Sequence, residues 1–159
     1  MKKLISIAMM AIMLMFSVSY TYAENVDGEL LQMEEDDFAI TEDAVGPDEY
    51  GIMPYSVYIG SVSTLVQNMG SGKIGIHVGV YCCEPVNSIT SNLYLQKKIN
   101  GTWTNVASGT VSNTGSASLS KGVSISGMSS GTYRAKSVTQ VIKNGFAESM
   151  TGYSGSITI

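Results

Sequence analysis

Cys82 and Cys83 stand side by side, and His77 is the only histidine of the chain. A thiolate beside an imidazole makes a nucleophile, and thiols with an imidazole are zinc ligands. The spacing argues against both. His77 lies six residues before Cys83, about 20 Å along an extended strand, and a zinc site needs more ligands than these residues supply. Carboxylates are equally scarce: beyond Gly51 the chain holds Glu84 and Glu148 and no Asp. A Ser-His-acid triad would need one of those two as its orienting group, and sugar hydrolysis by paired carboxylates would need them to converge. The acids upstream of Gly51 would have to hold catalytic geometry within about 0.5 Å from a flexible run. The sequence therefore predicts no enzyme, no metal and no cofactor.

A second constellation suits binding better. Asn100-Gly101 between apolar-alternating runs is a two-residue hairpin turn, because both of its positions require positive φ. Pairing outward from it sets Leu95 against Val106 on the inner face. On the outer face it sets Lys98 against Trp103, Gln96 against Asn105 and Tyr94 against Ala107. The only Trp then lies beside two amides, a Tyr and a Lys that can sit over the indole, which suits a sugar-stacking platform. The ligand-binding candidates are Tyr94, Gln96, Lys98, Trp103 and Asn105. The competing expectation is a packing role, with Trp103 covered by a neighbouring loop or by Met53-Pro54-Tyr55.

These residues need a scaffold of strands. From Pro54 onward the chain is rich in Ser, Thr, Gly, Val and Ile with frequent turn signals, and no stretch has helical periodicity. In 73–83, Ile74, Ile76, Val78, Val80 and Cys82 alternate with Lys73, Gly75, His77, Gly79, Tyr81 and Cys83, so the first set faces a core and the second faces away. Further strands are expected at 57–67, 89–99, 102–111, 116–126, 132–143 and 146–159, the last two joined by Asn144-Gly145. Seven strands over 54–159 predict one all-β domain, an antiparallel sandwich of immunoglobulin or fibronectin type. Its expected core is Ile74, Ile76, Val78, Val80, Leu93, Leu95, Val106, Val123, Ile125 and Tyr133. Cys82 is expected as a small buried hydrophobe. Cys83 faces out, and the two are expected either as free thiols or, in an oxidising compartment, as a vicinal or intermolecular disulfide.

Charge divides the chain. Residues 24–50 carry eleven acids and no base, whereas 51–159 carry seven Lys and Arg against two Glu. Glu34-Glu35-Asp36-Asp37 repels itself and Gly46-Pro47 blocks regular structure, so 24–53 is expected to be a disordered acidic linker or pro-segment. Leu30, Leu31, Met33, Phe38 and Ile40 nevertheless give it some capacity to dock as a short strand or turn. A calcium site is the sharper alternative for these acids, but the run lacks the loop spacing. Ahead of it, Lys2-Lys3, an apolar run over 4–18 and Thr21-Tyr22-Ala23 predict a secretory signal peptide, 1–23, with cleavage after Ala23. The apolar run is shorter than the roughly 20 residues of a span. A secreted product with no transmembrane segment after cleavage follows, and the leader is expected as one unpacked helix over 3–18.

Leu93-Tyr94-Leu95-Gln96-Lys97-Lys98, Asn100-Gly101-Thr102-Trp103-Thr104 and Gly131-Thr132-Tyr133-Arg134-Ala135 together resemble the small secreted Ig-like β-sandwich proteins of Gram-positive bacteria. The resemblance covers roughly 55–159 and implies a fold; it carries no activity. Ala135 stands where antibody domains have the second Cys of their inter-sheet disulfide, so that bridge is not expected. Two functional expectations follow. One is a non-catalytic interaction module for an anionic cell-wall polymer or glycan, with no nucleic acid partner. The other is a cationic secreted toxin or antimicrobial protein neutralised by its acidic segment until proteolysis.

Overall fold

The computed structural model describes residues 29–47 and 56–159, and these are all-β. Seven strands occur: β1 (Leu31–Gln32), β2 (Glu34–Glu35), β3 (Ile59–Gly70), β4 (Lys73–Ile99), β5 (Thr102–Ile125), β6 (Thr132–Lys143) and β7 (Phe146–Thr158). The expected leader lies outside the described residues, as do 24–28 and 48–53 of the acidic segment. Among the described residues no helix is long and apolar enough to cross a membrane.

The antiparallel sandwich expected from the alternation is present, but its strands are divided differently. The runs expected at 73–83 and 89–99 are one strand, β4, and those at 102–111 and 116–126 are one strand, β5. Each passes through both layers. The first half of β4 pairs with β3 and with the second half of β5; its second half pairs with β6 and with the first half of β5, and β6 pairs with β7. The change of layer falls where the ladder jumps from Tyr81↔Ser118 to Val86↔Ser116. There β4 carries four residues without a β5 partner, 82–85, opposite a single one in β5, a bulge that bends the strand and turns it about its axis. Pro85, which has no N–H to give, and Gly115, at φ 62°, allow the bend without breaking either strand. Strand count from the sequence thus came to seven for a different reason: β1 and β2 make up for the two mergers.

The bulge also resets which residues face inward. Ile74, Ile76, Val78, Val80 and Cys82 are buried before it and Val86, Ile89, Leu93 and Leu95 after it, with Val111, Leu119, Val123, Tyr133 and Val141 completing the interior. The Thr64 and Ser137 hydroxyls, on strands that do not pair, meet at 2.6 Å, and those of the cross-strand partners Ser91 and Thr139 at 2.7 Å. Each buried hydroxyl is therefore partnered, which removes the penalty of an unmatched polar group in the core. At the start of β6 the phenol of Tyr133 donates to the Ser129 carbonyl at 2.6 Å, the tyrosine-corner contact of immunoglobulin-type sandwiches.

Two expectations about the core need correcting. Val106 and Ile125 are only partly buried at its margin. For Val106 the reason is a second bulge: pairing from Asn100-Gly101 follows the expected register through Gln96↔Asn105, then shifts, so Leu95 meets Ala107 and Tyr94 meets Ser108. Ala107 takes the buried place expected for Val106.

The larger correction concerns the acidic segment. Its described part, 29–47, is not a free spacer but a strap that runs from the first half of β5 to its second half and on to β3 and β7. β1 adds in parallel to β5 at Leu31↔Ala107, and β2 adds antiparallel at Glu34↔Ser124. Between them Met33 is buried against Gly109, and its N–H donates to the Ser108 carbonyl at 2.7 Å. The chain then crosses the outer face of the layer. Phe38 lies in a trough made by two glycines: a Cβ on Gly75 would stand 2.6 Å, and one on Gly122 2.8 Å, from its ring. At the far edge Val45 exchanges both backbone hydrogen bonds with Val66 of β3, and Gly155 of β7 donates to the Gly46 carbonyl. Backbone pairing and apolar burial hold this segment, while Glu34, Glu35 and Asp37 stay exposed. Self-repulsion among its acids is thereby relieved by water and by the pairing of Asp36 with Lys73 and of Glu35 with Lys121, which the expectation of disorder did not allow for.

Candidate functional site

The outer face of the β5–β4–β6–β7 layer carries the candidate site. Strand alternation brings Trp103 and Asn105 of β5, Lys98, Gln96 and Tyr94 of β4, Arg134 and Lys136 of β6 and Tyr153 of β7 to one surface. The five residues expected from the hairpin therefore do share a face. Register alone could not supply Arg134, Lys136 and Tyr153, because they arrive from strands distant in sequence. Their signal was the outward phase of Arg134 and Lys136 on either side of buried Ala135.

Arg134 is its centre. The guanidinium carbon lies 4.6 Å from the ring centroid of Trp103 and 4.6 Å from that of Tyr153. Its Nε donates to Gln96 Oε1 at 2.8 Å, and Gln96 Nε2 donates in turn to Asn105 Oδ1 at 2.8 Å. Gln96 is only 8% exposed, so its amide is fixed by this chain of bonds rather than by water. Lys98 Nζ sits 5.7 Å from the Trp103 centroid and Lys136 Nζ 5.8 Å from that of Tyr94. Trp103 is half-buried under these neighbours. The rings thus hold cations through their π faces, and the face presents positive charge more than open rings.

The other cations are spent elsewhere. Lys73 pairs with Asp36 at 2.8 Å, Lys121 with Glu35 at 2.7 Å and Lys143 with Glu84 at 3.3 Å. Lys97, at the same end as Lys98, bonds Ser129 Oγ and lies 5.4 Å from the Tyr133 centroid. Among the described residues, Lys97, Lys98, Arg134 and Lys136 form no ion pair, and all four belong to the β4–β6 half of the molecule.

The chemistry-bearing residues raised first by the sequence do not converge. Cys82 and Cys83 are free thiols, one buried and one exposed. Burial pushes the Cys82 thiol up, with Cys83 and Glu148 adding to the effect. A thiol-reactive maleimide is therefore expected to label the native protein once, at Cys83, and a second time only in denaturant; fast double labelling of folded protein would contradict this placement. Glu84 pairs with Lys143, and Glu148 is occupied with the start of β3, so the two carboxylates do not meet. Among the described residues no group of His, Cys, Asp and Glu is assembled to hold a metal.

One pairing was not visible along the sequence: Ser120 of β5 and His77 of β4 are cross-strand neighbours, with Oγ 3.2 Å from Nε2. Burial lowers the imidazole pKa, and Asp37 of the strap opposes that shift. No hydrogen bond from Asp37 orients the ring, and the pair lies on a strand surface. A cleft of about 250 Å³ lies elsewhere, between the Ser71-Gly72 turn and the Gly127–Ser130 loop, and no titratable side chain lines it. Among the described residues, the geometry assembles a cation-bearing surface.

Compared with known proteins, the chain matches no family model, no curated protein and no solved structure.

Proposed function

We propose that this chain is a secreted, non-catalytic binding module that engages an anionic cell-surface polymer or anionic glycan through the Arg134 face. One observation carries the reading: Lys98, Arg134 and Lys136 are held in place by aromatic rings and amides and have no carboxylate partner among the described residues, while Lys73, Lys121 and Lys143 each have one. Keeping unpaired cations beside one another costs repulsion, and a polyanion relieves it. Stacking of a neutral sugar is less supported, because cations already cover the faces of Trp103, Tyr94 and Tyr153. A masked cationic toxin is also less supported, since among the described residues the strap's ion pairs go to Lys73 and Lys121 and not to this face.

The test compares wild type with the Lys98→Gln/Arg134→Gln/Lys136→Gln variant on an immobilised polyanion at low salt. At up to about 1 kcal/mol per exposed charge, affinity should fall roughly 10- to 100-fold, and wild-type binding should weaken steeply as salt is raised. The same substitutions at Lys73, Lys121 and Lys143 should change affinity little. Equal losses from both triple variants would mean that net charge alone governs binding, and the face would have no special part.

A further inference from the structure

Resting on that reading, we infer that the Arg134 face is a seat for phosphodiester groups carried in a polymer backbone, with Arg134 as the central phosphate ligand. The first argument is the state of the guanidinium. Rings flank it at 4.6 Å and Gln96 takes its Nε proton. What remains is the edge bearing the two terminal nitrogens, which make no hydrogen bond to a described residue. A planar fork held this way is pre-organised to meet two oxygens of one oxyanion, at smaller entropic cost than a mobile side chain. Trp103, Tyr153, Gln96 and Asn105 are its positioning residues.

The second argument is spacing. In the β4–β6 ladder Lys97 is level with Tyr133, Gln96 with Arg134 and Tyr94 with Lys136. Lys98, Arg134 and Lys136 therefore occupy successive levels two residues apart along the strand axis, and two residues of strand span about 7 Å. A 1,3-linked polyol phosphate repeats its phosphates over as many covalent bonds as two amino-acid residues. An extended chain of that kind sets one phosphate against each cation in turn. Polysaccharides with one carboxylate per disaccharide space their charges more widely and match one cation at a time.

The experiment titrates the intact protein with three probes at equal charge concentration: a 1,3-glycerol phosphodiester oligomer, hyaluronate and inorganic polyphosphate. The expected result is at least tenfold tighter binding of the glycerol phosphodiester than of either other probe. Arg134→Lys, which keeps the charge and removes the fork, should abolish most of that preference. Equal binding of all three probes, or a preference untouched by Arg134→Lys in a variant whose circular dichroism is native, would overturn the phosphodiester assignment while leaving a general polyanion site standing. Failure of wild type to bind any of the three at low salt would overturn both.

Discussion

Replacing Gly122 by Val is expected to expel the strap and destabilise the protein by about 2–4 kcal/mol, the range of an overpacked contact together with lost aromatic burial. A Cβ at this position would stand 2.8 Å from the Phe38 ring and 2.9 Å from the Asp36 carbonyl oxygen. Only one of these neighbours is a side-chain tip. The Asp36 backbone is itself fixed, because its N–H donates to the Gly122 carbonyl at 3.0 Å, so the strand beside it must move as well. Once Phe38 leaves the trough, the hydrogen bond from the Thr41 N–H to Gln67 and the Val45 pairing on β3 lose their anchor. The variant should be cut by proteases within 36–45 under conditions where wild type is resistant, and its urea midpoint should fall. Unchanged stability together with unchanged resistance would show that the strap is a loose attachment.

Glu148→Ala should have an effect of comparable size at the opposite edge. The Glu148 carboxylate accepts hydrogen bonds from the N–H groups of Val57, Tyr58 and Ile59 at 2.7, 2.9 and 3.1 Å, and from the Ser56 hydroxyl at 2.9 Å. It thus ties the first residues before and within β3 to β7, closing the open side of the sandwich. Alanine leaves these donors without their acceptor at a cost of about 2 kcal/mol, allowing for the water that reaches the group. Burial alone would raise the carboxyl pKa, but the donors of Tyr58, Val57, Ile59 and Ser56 outweigh it and hold the group below its ordinary 4.5. A folded pKa below the unfolded one stabilises above the unfolded value, and that contribution disappears as pH falls through the folded one. Wild type should therefore lose stability below about pH 4.5, and Glu148→Gln should flatten part of that decline. Asp36, lowered by its bonds from Lys73 and Ser124, accounts for a further part of the acid sensitivity.

The fold was legible where local chemistry fixes geometry. Asn100-Gly101 and Asn144-Gly145 are turns with both residues at positive φ, and the alternation over 73–83 put Cys82 inside and Cys83 outside as observed. Bulges were not legible. Nothing in Val106 announces that it is the extra residue, and a Pro at position 85 reads as a break when it sits in an unpaired stretch of a continuous strand. The strap was half legible: Met33 and Phe38 marked a capacity to dock, but their receptors, Gly109, Gly75 and Gly122, lie in other strands and declare themselves only once those strands are paired. The candidate face followed the same division. A two-residue turn placed Trp103 beside Lys98, while the flanking of Arg134 by Trp103 and Tyr153 depends on four strands lying side by side.

Mapping backbone amide shifts of labelled protein during titration with a glycerol phosphodiester oligomer shows whether the Arg134 face meets the polyanion. Perturbations are expected to concentrate at 94–98, 103–105, 134–136 and 153 and to saturate together, with the indole N–H of Trp103 and the Arg134 side-chain signals moving in step. Perturbations centred on Lys73, Lys121 and the strap, with the Arg134 face unmoved, would contradict it.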